Sequence, residues 1–205
     1  MSSGTGTFFL GRIMTTLAAI QGNGWCVIGC DSRATEDSGR YITMATQKVI
    51  EVGPYLIAGA GASRGSNVIQ FGWTPPKPPN NSDNLDSFMT RKFIPEMRRA
   101  FIEAGYDMKE DGDAAAHDSM FLVAVRGVIY PIFEDYSWDR DISNIYYGGS
   151  GGSVALGALE ILGTAKTMKQ AEENVRKAVA AAIKWDAYSA GPIIVKSQKV
   201  ARPNS

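Results

Sequence analysis

The chain has 205 residues, of which 44% are apolar and 20% charged, a globular composition that excludes wholesale disorder and favours one domain without disulfide staples. Lys+Arg and Asp+Glu both number 21, so a generally basic nucleic-acid binder is excluded. No apolar run reaches the ~20 residues of a membrane helix, and the opening MSSGTGTFFLGRIM lacks the charge order of a secretory signal.

In chain order, Thr15–Ile20 (TTLAAI) and Trp25–Cys30 (WCVIGC) read as strands of a hairpin joined by Gln21-Gly22-Asn23-Gly24. Tyr41–Met44 and Gln47–Val52 read as a second, shorter pair, and Tyr55–Gly59 as a strand after the Gly53-Pro54 turn. Their near-continuous apolarity predicts a sheet covered on both faces. A helix begins near Ala62 and is cut short around Gly72. The stretch Trp73–Asp83 (WTPPKPPNNSD) then reads as an exposed loop, with a PxxP-like docking segment as the alternative.

Leu85, Phe88, Met89, Phe93, Met97 and Phe101 recur at helical spacing over Asn84–Ala104, with Asp83 as N-cap, Gly105 as C′ residue and a kink or a split of the helix at Pro95. Ser119–Val125 and Val128–Phe133 read as strands around Arg126-Gly127, and Ile142–Tyr147 as a strand ending at Gly148–Gly152. Val154–Leu162 and Met168–Ala187 read as helices, and Pro192–Val195 opens a last strand. Strands, helices, strands, helices and strand in segregated blocks predict an α+β protein of packed layers. Cys26 and Cys30 share one face of their strand and read as core. With no CxxC and no nearby histidine, they give no zinc site and suit a reducing, cytoplasmic setting. His117, the only histidine, reads as solvated, which leaves a Ser-His-Asp triad without support.

Six short motifs stand in order: Thr15-Thr16, Asp31-Ser-Arg33-Ala-Thr (DSRAT), Lys48 in KVI, Gly59 in AGAGA, Ser150 in GGSGG, and Asp186 with Ser189 in DAYSAG. Together they resemble the N-terminal-nucleophile hydrolases, most closely proteasome β subunits and the bacterial proteasome-like peptidase. In DAYSAG, Ala190 separates Ser189 from Gly191, a departure from the family's D-x-x-S-G. The resemblance runs from Thr15 to about Val195 and implies a four-layer αββα sandwich, with residues 1–14 as a leader and 15–205 as a single domain.

By the same resemblance Thr15 is the nucleophile and its own α-amine the base. The amine's reference pKa of about 7.7–8.0 leaves a neutral fraction near pH 7. Lys48 then favours alkoxide character and holds the amine pKa down. Asp31 keeps Lys48 charged and oriented, and Ser150, Asp186 and Ser189 position the amine and a water. Gly59 supplies the oxyanion N–H, with Arg33 and Thr16 supporting. No cofactor or metal is implied. The implied partners are a peptide or protein substrate, further copies of the chain in a homo-oligomer, and an ATP-dependent unfoldase or larger assembly.

Each motif also has a plain structural reading. Thr-Thr suits any strand start, Asp31 and Lys48 suit a surface ion pair, and GGSGG suits a loop or, without a P-loop lysine, a phosphate cradle. Met14 stands where proteasome precursors carry glycine, so a free Thr15 amine requires self-cleavage after Met14 or methionine removal from a start at Met14. Three readings remain open: threonine peptidase, another amide hydrolase on the same machinery, or a non-catalytic scaffold subunit, as in a bacteriophage assembly.

Overall fold

In the computed structural model, which describes residues 12–35, 39–80, 84–107 and 115–200, the first hairpin pairs β2 (Leu17–Gly22) with β3 (Trp25–Cys30). Asn23-Gly24 closes it, with Gly24 at φ 73°, a value that favours glycine. Thr15 and Thr16 therefore precede the strand. Upstream, β1 (Arg12–Ile13) is a strand that the sequence pattern did not announce.

Among the described residues one sheet runs β1, β7 (Tyr55–Ala62), β8 (Ser119–Val125), β9 (Val128–Ile132), with β6 (Val49–Val52) also paired to β7. A second runs β10 (Ile145–Gly148), β2, β3, β11 (Ile194–Lys199). Every pairing is antiparallel. The helices are α1 (Ser63–Asn67), which widens into a π-helical stretch over Val68–Gly72; α2 (Leu85–Phe88) and α3 (Ile94–Glu103), joined by a π-helical stretch over Met89–Phe93; then α4 (Gly152–Leu162) and α5 (Met168–Trp185).

The apolar runs are covered on both faces, as predicted. Leu17, Ala19, Cys26, Ile28 and Cys30 meet Leu56, Ala58, Leu122 and Ala124 of the other sheet. Their alternates Ala18, Ile20 and Val27 meet Leu159, Val175, Val179 and Ala182 of α4 and α5. The far face of the β7–β8 sheet, through Tyr55, Ile57, Phe121 and Val123, packs on Met89, Phe93, Met97 and Phe101. Period-two alternation divides each strand between two cores. Both cysteines sit in the core as expected, their thiols pushed up to about 12 by burial.

Several expectations change. Tyr41–Thr43 (β5) pairs with Arg33–Thr35 (β4) in a separate ribbon, while β6 pairs with β7, so the two short runs do not form one hairpin. Pro95 falls in the first turn of α3, directly after the π-helical stretch, where its missing N–H is tolerated. The expected N-cap at Asp83 lies outside the described residues, whereas Gly105, at φ 65°, ends α3 as read: Tyr106 N–H donates to Phe101 C=O at 2.8 Å and Gly105 N–H to Ile102 C=O at 3.0 Å. The proline-rich stretch is partly seated: Tyr55 Oη donates to Pro76 C=O at 2.6 Å, and Trp73 meets Phe93 edge-on at 5.2 Å.

His117 is the clearest reversal. It is buried, with the Tyr136 and Phe101 rings at 4.6 and 5.3 Å. Burial pushes its pKa down to about 4, against the opposing pull of Asp107, Asp118 and Asp135. An unfolded histidine titrates near 6.5, so the unfolded chain binds the extra proton first as pH falls. We expect folding stability to decline between about pH 6.5 and pH 4 by up to about 3 kcal/mol through this group alone. Urea titrations at pH 7 and pH 4.5 should show a smaller loss for His117→Phe than for the parent; equal losses would mean that His117 is not held neutral.

Candidate active site

The backbone of Thr15 and Thr16 is clamped from two sides. Thr16 N–H donates to Asp31 Oδ1 at 2.9 Å, and Thr16 C=O accepts from Asp31 N–H at 3.3 Å. From the other side, Thr15 C=O accepts from Gly151 N–H at 3.3 Å, with Ser150 Oγ 3.4 Å away. The glycines of GGSGG make this approach feasible. A Cβ on Gly149, which sits at φ 76°, would lie 2.1 Å from Thr15 O, and one on Gly151 would lie 1.9 Å from Thr16 Oγ1. The motif is therefore a close-contact turn against the Thr-Thr segment.

Asp31, just past β3, is fully buried and accepts four hydrogen bonds. Oδ1 takes Thr16 N–H and Lys48 Nζ, the latter at 2.7 Å; Oδ2 takes Arg33 N–H at 3.0 Å and Ala190 N–H at 3.2 Å. Lys48, just before β6, is buried with it. Desolvation lowers the Lys48 pKa, and the Asp31 charge opposes that shift. Nζ also donates to Met14 C=O at 3.4 Å. The ammonium thus meets the carbonyl of the very bond that joins Met14 to Thr15.

A relay of hydroxyl groups completes the set. Ser189 Oγ donates to Asp186 Oδ2 at 2.6 Å; with that proton committed, Thr16 Oγ1 is the donor in its 2.7 Å contact with Ser189 Oγ. Ser150 Oγ donates to the same Oδ2 at 2.8 Å. Asp186 follows the last turn of α5, anchored by its N–H on Ala182 C=O at 2.7 Å. Thr15, Thr16, Asp31, Lys48, Ser150, Asp186 and Ser189 are therefore brought together from five separate stretches of chain. Arg33 contributes through its backbone; its guanidinium turns away to Ala187 C=O at 3.3 Å and to the Tyr41 ring at 4.3 Å.

Gly59 is placed differently from its expected role. It lines the cleft with Thr15 and Lys48, but its N–H donates to Lys48 C=O at 3.3 Å. Ala62 N–H points to the β8 edge, where it meets Asp118 C=O at 2.9 Å. Strand alternation then directs the Gly61 N–H to the same edge as Gly59, beyond the end of β6 and beside Ile13 of β1. Gly61 also lines the cleft. AGAGA offers both glycines, and only the pairing register separates them.

No family model matches the chain, and no curated protein does. Solved structures match over almost its whole length. BPH of Thiobacillus denitrificans, solved both alone and in complex with epoxomicin, superimposes with a TM-score of 0.73 at 21% identity, covering 92% of this chain and 100% of that one. Eukaryotic HslV from Trypanosoma brucei superimposes with a TM-score of 0.61 at 17% identity, covering 90% of this chain and 99% of that one. At such identities the likeness is one of fold, and at that level the resemblance to proteasome-type hydrolases holds.

Two glycine substitutions distinguish a built turn from a plain loop. Gly151→Ala should destabilise the protein by about 1–3 kcal/mol, because its methyl group collides with Thr16 Oγ1. Gly157→Ala, inside α4 with nothing within 4 Å of the new Cβ, should stabilise by about 0.5–1 kcal/mol. Chemical denaturation of both variants checks the pair; a neutral Gly151→Ala would mean that the turn does not press on the threonines.

Proposed function

We propose that the chain is a threonine peptidase of the N-terminal-nucleophile type, active once residues 1–14 have been removed and Thr15 carries a free α-amine. The observation that carries this reading is the buried Lys48–Asp31 pair with its ammonium on the Met14 carbonyl, because it puts a positive charge beside the bond whose cleavage would create that amine. The order of the three cores supports a four-layer αββα arrangement, with residues 15–205 as one domain. A homo-oligomer is part of the same proposal. The two buried free thiols suit a reducing, cytoplasmic setting.

In the proposed reaction Thr15 Oγ attacks the carbonyl carbon of a peptide bond, and its proton passes to the Thr15 amine. A C–O bond forms, the C–N bond breaks, and the amine returns the proton to the leaving nitrogen. Water, activated by the same amine, then hydrolyses the ester and frees Thr15. Lys48 lowers the energy of the developing alkoxide, and Asp31 holds Lys48 in place. Ser150, Asp186 and Ser189 orient the amine and the water. The donor for the oxyanion is the Gly61 N–H, since that of Gly59 is taken. In the uncut chain β1 runs along this edge, with Ile13 opposite Gly61, so removing the leader clears the edge as well as freeing the amine.

A chain beginning at Thr15 should hydrolyse fluorogenic peptides. Thr15→Ser should retain partial activity, whereas Thr15→Ala should show none. The full-length chain should also be silent while its Thr15 nitrogen remains an amide. Activity in the Thr15→Ala variant overturns the mechanism, and silence in every folded, trimmed variant favours the scaffold reading. Lys48→Ala should lose about 10²–10³ in rate. It should also lose about 3–5 kcal/mol of stability, because Asp31 is left buried and unpaired. A Lys48→Ala protein with parental rate and stability would mean that the buried pair serves neither the reaction nor the fold.

A further inference from the structure

We infer that, on the peptidase reading above, the cleft beside Thr15 selects a short, uncharged, hydrogen-bonding side chain (serine, threonine or asparagine) on the residue that supplies the attacked carbonyl. Thr15 and Lys48 both line this cleft. Because the nucleophile itself borders the cleft, the side chain of the residue whose carbonyl Thr15 attacks is the one placed to enter it.

The walls carry mostly hydroxyl and amide side chains, with Met44 as the apolar member. Thr46 and Gln47 approach from the segment before β6, and Ser63, Ser66, Asn67 and Gln70 from α1 and its continuation. Among the described residues Lys48 is the sole ionisable one of the lining, and its charge is already matched by Asp31 at 2.7 Å. Arg64, on the same helix, turns away to Ala104 C=O at 3.0 Å. A basic side chain would meet Lys48 with no carboxylate among the described lining residues to receive it, and an acidic one would compete with Asp31 for a single ammonium. A large apolar side chain would strip water from hydroxyl and amide groups without replacing their hydrogen bonds.

The cleft is also small, at ≈ 20 Å³, close to the space of a single water. Ser66 presses on Gly59 across the cleft, its Oγ lying 2.6 Å from where a Gly59 Cβ would stand. A hydroxyl or a short amide both fits and provides a donor and an acceptor to these walls.

A peptide panel differing only at the acyl residue tests the inference on chains beginning at Thr15. We expect kcat/KM for serine, threonine and asparagine to exceed that for arginine, aspartate, leucine and phenylalanine at least tenfold, and that for alanine about fivefold, one hydrogen bond's worth of discrimination. Ser66→Ala should reduce the serine-to-alanine ratio. Cleavage that favours alanine, leucine, phenylalanine or a charged residue, or a ratio unmoved by Ser66→Ala, overturns the inference and leaves the peptidase reading standing. Cleavage of no peptide by the folded, trimmed chain overturns the peptidase reading and the inference with it.

Discussion

Asp31 and Lys48 place opposite charges 2.7 Å apart where their side chains are 0% and 3% exposed. Removing two such ions from water costs several kcal/mol each, and attraction alone offsets this only with good geometry and further hydrogen bonds. Asp31 obtains them from the backbone N–H groups of Thr16, Arg33 and Ala190. Those three donors come from the segment before β2, the turn after β3 and the segment before β11, so one carboxylate ties together three separate stretches of chain. Lys48 adds a fourth from just before β6. The pair is therefore an organising contact, and the rest of the site is arranged around where its ammonium points.

What the ammonium meets is decided by the sheets. β2 and β3 bring Thr16 and Asp31 side by side across one sheet, while the pairing of β6 with β7 delivers Lys48 and the glycine-bearing strand from the other. The turn after β10 supplies Gly149, Ser150 and Gly151 against the threonines, and the end of α5 supplies Asp186. None of these contributors is adjacent in sequence. Each is held by packed apolar strands and helices, so the polar cluster rests on rigid elements of the fold.

Much of this was legible in the sequence because strand patterning and turn glycines are local. The hairpin at Asn23-Gly24, the helix end at Gly105 and the core cysteines could be read from short windows, whereas the motif residues from Thr15 to Ser189 stood out only as an ordered set, through the family resemblance. What could not be read depends on pairing between distant segments. Gly59 and Gly61 are equivalent in AGAGA until the register with β6 shows which N–H is engaged. β5 and β6 looked like partners because they are neighbours in sequence, yet each pairs elsewhere. His117 looked solvated amid Asp and Ala, whereas the aromatic rings around it come from α3, β8 and beyond.

The central claim is that the Lys48–Asp31 pair and the surrounding hydroxyls exist to activate Thr15 once its amine is free. The most direct test is mass mapping of the N-terminal peptide after a chain beginning at Thr15 has been treated with a peptide epoxyketone, which requires both the hydroxyl and the amine of one residue. The account predicts a stoichiometric adduct on Thr15, absent from the full-length chain and from Thr15→Ala. A folded chain beginning at Thr15 that remains unmodified, or is labelled elsewhere, would contradict it.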